Sequence, residues 1–232
     1  MKSLRRKAYS VSSLVTFETC PLQYYYLHVL HLPPPVTPAM RAGASIHSLI
    51  ARELRGKRTI RPDTPAHLRE MLEGFRASRF NTPPIASERP FLLSLPRGDV
   101  RGRIDLVLPR ADGGVELVDF KSGHVQSRED AAAHLQLPLY ALAVSSMLNR
   151  PPEEVSYTYY YLRGQLEHSF TPAADTFEAL RARVDGILTT VQAGRYSGAP
   201  GCTCFACRRL ARNGPVVTKP QPDPVDTGVE LS

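Results

Sequence analysis

The sequence predicts an α/β fold: a central mixed β-sheet flanked by helices, with a helical N-terminal part. Three observations predict it. Arg101–Leu108 and Val115–Lys121 are β-rich runs joined by turn material at Ala111–Gly114. Glu154–Leu162 (EVSYTYYYL) and Gln165–Phe170 repeat that hairpin pattern around Arg163-Gly164. Stretches with apolar residues at helical spacing lie before, between and after these runs.

Taken in order, the chain opens with Tyr9–Leu32, where Ser10, Ser12 or Ser13 can N-cap a short helix. Pro21 suits the first turn of a second helix. Leu22, Tyr25, Tyr26 and Val29 share helical spacing, which reads as core rather than as a base-stacking platform. Pro33–Pro38 is a linker. Ala39–Arg55 is amphipathic, with Ile46, Leu49, Ile50 and Leu54 as its apolar stripe. Gly43 inside it costs stability, so a close approach by another backbone is expected there. His47 follows one turn later on the same face. Pro62–Phe80 reads as a further helix, closed by Pro83-Pro84.

Ile85–Leu95 reads as a strand entering the sheet, with Glu88 as its one acid. Glu88 can pair with Arg89 or Arg103, or sit beside a metal. Ser127–Asn149 reads as one helix, with Ser127 and Asp130 resembling a capping box and Pro138 introducing a kink. Gln136 and Tyr140 share a face of it and can hydrogen-bond a phosphate or a sheet edge. Asp175–Ala193 is another amphipathic helix. Residues 1–214 are read as a single domain: helical part 9–80, core 85–193 and cysteine segment 201–210. Pro215–Ser232 is Pro-rich and polar and is expected to be disordered.

At 232 residues the chain can bury one sizeable core. Its formal net charge is +7, and because residues 215–232 carry −2, the remainder carries +9. That balance suits a polyanionic partner, nucleic acid first. No apolar run approaches the roughly 18 residues of a membrane span, and no apolar signal core follows basic Met1–Ser10. A cytoplasmic location is expected. No nucleotide-binding P-loop is present, so helicase activity would have to come from a partner.

The chemistry centres on the first hairpin. Asp119 and Lys121 are two apart and point to one face. An odd loop centred on Asp112 puts Asp105 opposite Asp119, whereas a two-residue Asp-Gly turn slips the pairing by one. Facing carboxylates repel, and a hard cation such as magnesium or manganese relieves the repulsion. A neighbouring lysine can position a water or stabilise a negative transition state. D-x-K by itself is common and fits salt-bridged surface strands equally.

Cys202, Cys204 and Cys207 form C-x-C-x-x-C, and Cys20 lies near the other end. Four thiolates can hold zinc or an iron–sulfur cluster, and either would staple the two ends of the chain together.

These residues carry a family resemblance. The chain resembles the PD-(D/E)XK nuclease superfamily, specifically the RecB-type exonuclease domain in its iron–sulfur subtype. The likeness runs from Tyr9 to about Leu210. It rests on S-x-S-x-L-x-x-F-x-x-C-P-x-x-Y-Y-Y at Ser10–Tyr26, G-x-x-x-H at Gly43–His47 and G-R-I-D at Gly102–Asp105. D-F-K-S-G at Asp119–Gly123 and Q-L-P-L-Y at Gln136–Tyr140 complete it.

The resemblance implies a restriction-endonuclease-like core and a magnesium- or manganese-dependent DNA nuclease, an exonuclease of DNA repair or recombination. It implies that His47, Asp105, Asp119 and the backbone carbonyl of Phe120 hold the ion. Lys121 would position or activate water, Gln136 and Tyr140 would support the site and the DNA strand, and Glu88 would be the upstream acid. It implies a 4Fe–4S cluster at Cys20, Cys202, Cys204 and Cys207, with structural zinc as the alternative. One departure stands out: relatives carry a cysteine about six residues after the C-x-x-C, and here that place falls at Asn213. Cys202 would supply the missing ligand from upstream. DNA is the implied partner, with a helicase or another recombination subunit beside it. Two alternatives share the motifs: a catalytically silent DNA-binding subunit of a nuclease–helicase complex, and a CRISPR-adaptation nuclease.

Overall fold

The computed structural model describes residues 6–34, 36–57 and 60–214. The tail at 215–232, expected to be disordered, lies outside the described residues. The element order is β1 (Ala8–Ser10), α1 (Val11–Thr19), α2 (Pro21–Tyr24), a π turn (Tyr25–Val29), α3 (Pro38–Glu53) and α4 (Ala66–Ala77). Then come β2 (Ala86–Leu95), β3 (Gly98–Pro109), β4 (Val115–Lys121), α5 (Arg128–Ala133) and α6 (Gln136–Leu148). A short 3-10 turn leads into β5 (Val155–Tyr161), followed by β6 (Leu166–Phe170), α7 (Thr176–Gln192) and α8 (Phe205–Asn213).

The six strands form one mixed sheet in the order β1-β3-β4-β5-β6, with β2 on the other edge of β3. The β2–β3, β3–β4 and β5–β6 pairs are antiparallel, as hairpins demand. The β4–β5 pair is parallel, and α5 and α6 make its crossover. Strand β1 pairs in parallel with the start of β3. It was not foreseen, because three residues are too few to show a period.

Alternation along the strands sorts side chains into two cores. Val100, Leu117, Tyr157 and Tyr159 meet Leu139, Leu142, Val184 and Leu188 of α6 and α7 on one face. Leu106, Val118, Phe120 and Tyr160 meet Ile46 and Ile50 of α3 and Leu72 and Phe75 of α4 on the other. The helical N-terminal part is therefore built into the sandwich: α3 and α4 are one of its layers, and β1 belongs to the sheet. All of β4 up to Phe120 is buried, as befits a central strand.

Local chemistry sets the helix ends. Ser10 caps α1 through Ser13 N–H, Thr37 caps α3 through Met40 N–H, and Ser127 caps α5 through Asp130 N–H. The single helix expected over Ser127–Asn149 is in fact two. The chain breaks at His134, where the backbone is extended, and Pro138 sits in the first turn of α6 without kinking it. That break lets α6 start directly over the end of β4. Residues 137–144 of α6 are all buried, so this helix is apolar all round and forms the centre of its layer. Among the described residues, no helix is long and apolar enough to cross a membrane.

Candidate active site

The site forms where β3 and β4 part. Their ladder runs from Pro109↔Val115 to Leu106↔Val118 and stops there. This register is centred on Asp112, so the odd loop holds and Asp105 and Asp119 occupy the next rung. That rung is not closed by backbone bonds. The Asp105 Oδ2 instead accepts the Phe120 N–H at 3.1 Å. On the same edge of β3, β1 covers only Asp99–Arg101. Residues 102–105 thus lie in a notch between β1 and β4, and a side chain there can reach out of the sheet.

Asp119 is 3% exposed. Its Oδ1 accepts from Gln136 Nε2 at 2.8 Å. Its buried Oδ2 lies 2.8 Å from Lys121 Nζ in an ion pair and has no donor beyond that ammonium among the described residues. Burial pushes the Asp119 carboxyl above the usual carboxylate range. The charge of Asp105 adds to this, against the pull of Lys121 and His47.

Lys121 is held from three sides. Its ammonium donates to Gln136 Oε1 at 2.8 Å, pairs with Asp119, and sits 5.3 Å from the centre of the Tyr159 ring. Gln136 is the first residue of α6 and uses both ends of its amide, one on the acid and one on the lysine. Its Nε2 also lies 3.3 Å from Tyr140 Oη, so the expected shared face exists and is turned toward β4. Tyr140 rests edge-on against Phe91, with centroids 5.3 Å apart. Gly102 makes that contact fit: a Cβ there would stand 2.6 Å from the Phe91 ring and 3.0 Å from Tyr140. The Leu137 N–H donates to Tyr159 Oη at 3.3 Å, which ties the start of α6 to β5.

From the other layer, His47 of α3 brings Nδ1 to 3.2 Å from Asp105 Oδ2. Burial lowers its affinity for a proton. The hydrogen bond and charge of Asp105, with Asp119 and the Phe120 backbone, more than offset this and raise it. The Phe120 ring lies edge-on to His47, with centroids 6.2 Å apart. Gly43 makes room for this helix, since a Cβ there would lie 3.0 Å from Ser122 Oγ just past β4. The close approach expected at Gly43 exists, made by a side chain rather than by backbone.

Glu88 falls between the paired rungs Ser87↔Leu106 and Arg89↔Ile104, opposite Asp105. Its φ is 52°, a left-handed conformation costing about 1–2 kcal/mol in a non-glycine residue. Arg103 Nε pairs with Glu88 Oε2 at 3.1 Å. One ligand atom each from His47, Glu88 and Asp105 lies within 4.8 Å of the others. The sequence-level ligand set named Asp119 where this trio has Glu88; Asp119 stands across the same rung from Asp105, bound up with Lys121 and Gln136. Arg55 and Arg103 line a cleft of about 520 Å³ over His47, Glu88 and Asp105.

The donors fit a hard divalent ion. They are carboxylate oxygens and an imidazole, and the buried Asp119 Oδ2, which has no donor beyond the Lys121 ammonium among the described residues, is what a cation would complete. Sequence reasoning missed Tyr159 and Arg55, and it named Arg103 only as an ion-pair partner of Glu88, which it is. Tyr159 reaches Lys121 only because β5 runs parallel beside β4, a pairing that no local pattern announces.

The four cysteines converge in a separate cluster with Leu22, Tyr26 and Ala206. Cys20 is buried between α1 and α2, and Cys204 caps α8 through Cys207 N–H. One Sγ from each of the four lies within 4.8 Å of the others.

A sequence profile of the PD-(D/E)XK nuclease superfamily matches residues 8–85 and 63–211. No curated protein sequence matches the chain. Among solved structures, a protein of Eubacterium rectale described as a "Putative exonuclease" is similar, with TM-score 0.59 and 12% identity. That match covers 91% of this chain and 90% of the other and shows a shared fold. The protein SSO0001 matches at 16% identity and TM-score 0.43, over 82% of this chain and 78% of its own.

Proposed function

The chain belongs to the PD-(D/E)XK nuclease superfamily, and from that premise we propose a divalent-metal-dependent deoxyribonuclease of the RecB type, an exonuclease serving DNA repair or recombination. The observation that carries this reading is the bridge made by Gln136. One amide fixes a buried carboxylate and a lysine 2.8 Å apart, at the rung where two strands open toward a second carboxylate. A structural ion pair has no need of an opened rung or of a third acid in a left-handed conformation within a strand.

His47, Asp105, Asp119, Glu88 and the Phe120 carbonyl are the groups that would hold magnesium or manganese. The bound ion would supply Lewis acidity toward the scissile phosphate. The protein's own residues do the rest. Lys121, oriented by Gln136 and flanked by the Tyr159 ring, presents an ammonium to the attacking water and to the charge that builds on phosphate oxygens. Tyr140 keeps Gln136 in place. Arg55 and Arg103 in the cleft would hold the DNA backbone without reading sequence. A helicase or other recombination subunit is the proposed partner.

The test is cleavage of end-labelled single- and double-stranded DNA with magnesium or manganese, beside a chelator control and Asp119→Ala. Cleavage lost in both controls supports the reading. Undiminished cleavage in either one overturns it.

A further inference from the structure

Away from the carboxylate cleft, Cys20, Cys202, Cys204 and Cys207 form a second set of ligating groups, and the family likeness implies an iron–sulfur cluster on them. We infer that this centre is built for a single tetrahedral ion of the zinc class, a structural Zn²⁺. The inference rests on the spacing of the sulfurs and owes nothing to the cleavage chemistry.

The four Sγ atoms lie within 4.8 Å of one another, and Cys20 and Cys207 are 3.6 Å apart. Four thiolates around one zinc at ~2.3 Å form a tetrahedron with edges of about 3.8 Å. A four-iron cube gives each thiolate its own iron, so the iron–iron edge is added to the separation of every pair of sulfurs. The observed spacing is that of a shared ion and is too close for the cube.

The surroundings hold it there. Cys20 and Ala206 are fully buried, so α2 and α8 already meet. A Cβ at Gly198 would lie 3.3 Å from Cys207 Sγ and 3.7 Å from Leu22, so the chain before α8 closes a third side. Two backbone N–H groups point at sulfur: Cys204 N–H to Cys202 Sγ and Cys207 N–H to Cys204 Sγ, each at 3.5 Å. Such donors stabilise thiolate charge and orient ligands around a metal. The sequence departure now has a reason. Asn213 ends α8, a helix length away from Cys204 at its cap, whereas Cys202 sits beside it. Three ligands within six residues wrap one ion more readily than they span a cube.

The experiment uses the full chain, purified anaerobically from cells supplied with both iron and zinc. Metal content, acid-labile sulfide and the visible spectrum are measured, and cobalt(II) is then exchanged into the centre. The expected result is about one zinc per chain, no sulfide, no broad visible band, and the ligand-field bands of tetrahedral cobalt thiolate after exchange. Iron and sulfide in matching amounts with broad visible absorption would overturn the inference. So would a folded chain that carries no metal and gives no cobalt bands. Cys207→Ser should lose the zinc. Should that variant fail to fold, stripping wild-type protein with a chelator should lower its melting temperature, and zinc should restore it. A melting temperature unmoved by either would count against the site.

Discussion

Asp105 and Asp119 face each other across the first rung at which the β3–β4 ladder fails, one rung beyond Leu106↔Val118. The buried Asp119 Oδ2 has no donor there beyond the Lys121 ammonium among the described residues, and burial raises its affinity for a proton. The native carboxylate is therefore a cost to the fold. Asp119→Asn should cut cleavage by about a hundredfold or more while leaving the melting temperature unchanged or higher. An Asn variant that cleaves at the wild-type rate would remove Asp119 from the chemistry.

Gln136 acts through Lys121 and Asp119 and is a positioning residue. Gln136→Ala should lower kcat by roughly 10- to 100-fold and leave KM within a few-fold, because the lysine is misplaced and the cleft is not. Gln136→Glu should be worse than Ala, since it turns the donor facing Asp119 into an acceptor. Steady-state kinetics on both variants check the order.

Gly102 lies where Phe91 and Tyr140 close on the backbone. Gly102→Ala should destabilise the protein by about 1–3 kcal/mol through overpacking. Adding Phe91→Leu should recover part of the loss, since it trims the nearer of the two rings. Denaturant unfolding of the two single variants and the double variant reads the coupling.

Glu116 is a buried acid far from the cleft, clasped by Arg79 at 2.7 and 2.8 Å and by Thr158 Oγ1 at 2.5 Å. Burial opposes its charge, but these partners hold its carboxyl below the usual value of 4.5. The unfolded chain therefore takes up the proton first, and the stability due to this charge is lost as pH falls below about 4.5. Melting temperature followed from pH 7 downward should drop more steeply over that window in wild type than in Glu116→Gln. Arg79→Ala should cost about 3 kcal/mol, because it strands the acid in the core.

Binding to DNA should weaken steeply with salt. Arg55→Ala and Arg103→Ala should each reduce the slope of log affinity against log salt by about one, without changing sequence preference. Fluorescence anisotropy over a salt series measures it, and a slope unmoved by either variant would show that these cations do not meet phosphate.

Most of this site could be read from the chain because the signals are local. The spacing of Asp119 and Lys121 fixes their common face, while the turn left two registers open, of which the structure has the one centred on Asp112. Gln136 and Tyr140 are one helical turn apart. What could not be read depends on elements that meet only in three dimensions. Tyr159 reaches Lys121 through a parallel pairing made by a distant crossover. Glu88 is aimed by a φ reversal inside a strand that otherwise looks regular. The break at His134 went unseen because Ser127–Asn149 keeps helical composition throughout, and the start of α6 is fixed by contacts with β4 and β5 rather than by a local stop signal.

The cysteine staple has a consequence for the order of biosynthesis. Cys20 leaves the ribosome 187 residues before Cys207, and Cys202 and Cys204 come just ahead of Cys207. The knot can be tied only after Cys207 has been made, so the N-terminal helices must wait, with Cys20 untethered, while the sheet assembles. A chain cut short before residue 202 would keep every group of the cleavage site and lack the fastening. An ion bound there would thus tell molecules that carry the segment after α7 from fragments that lack it.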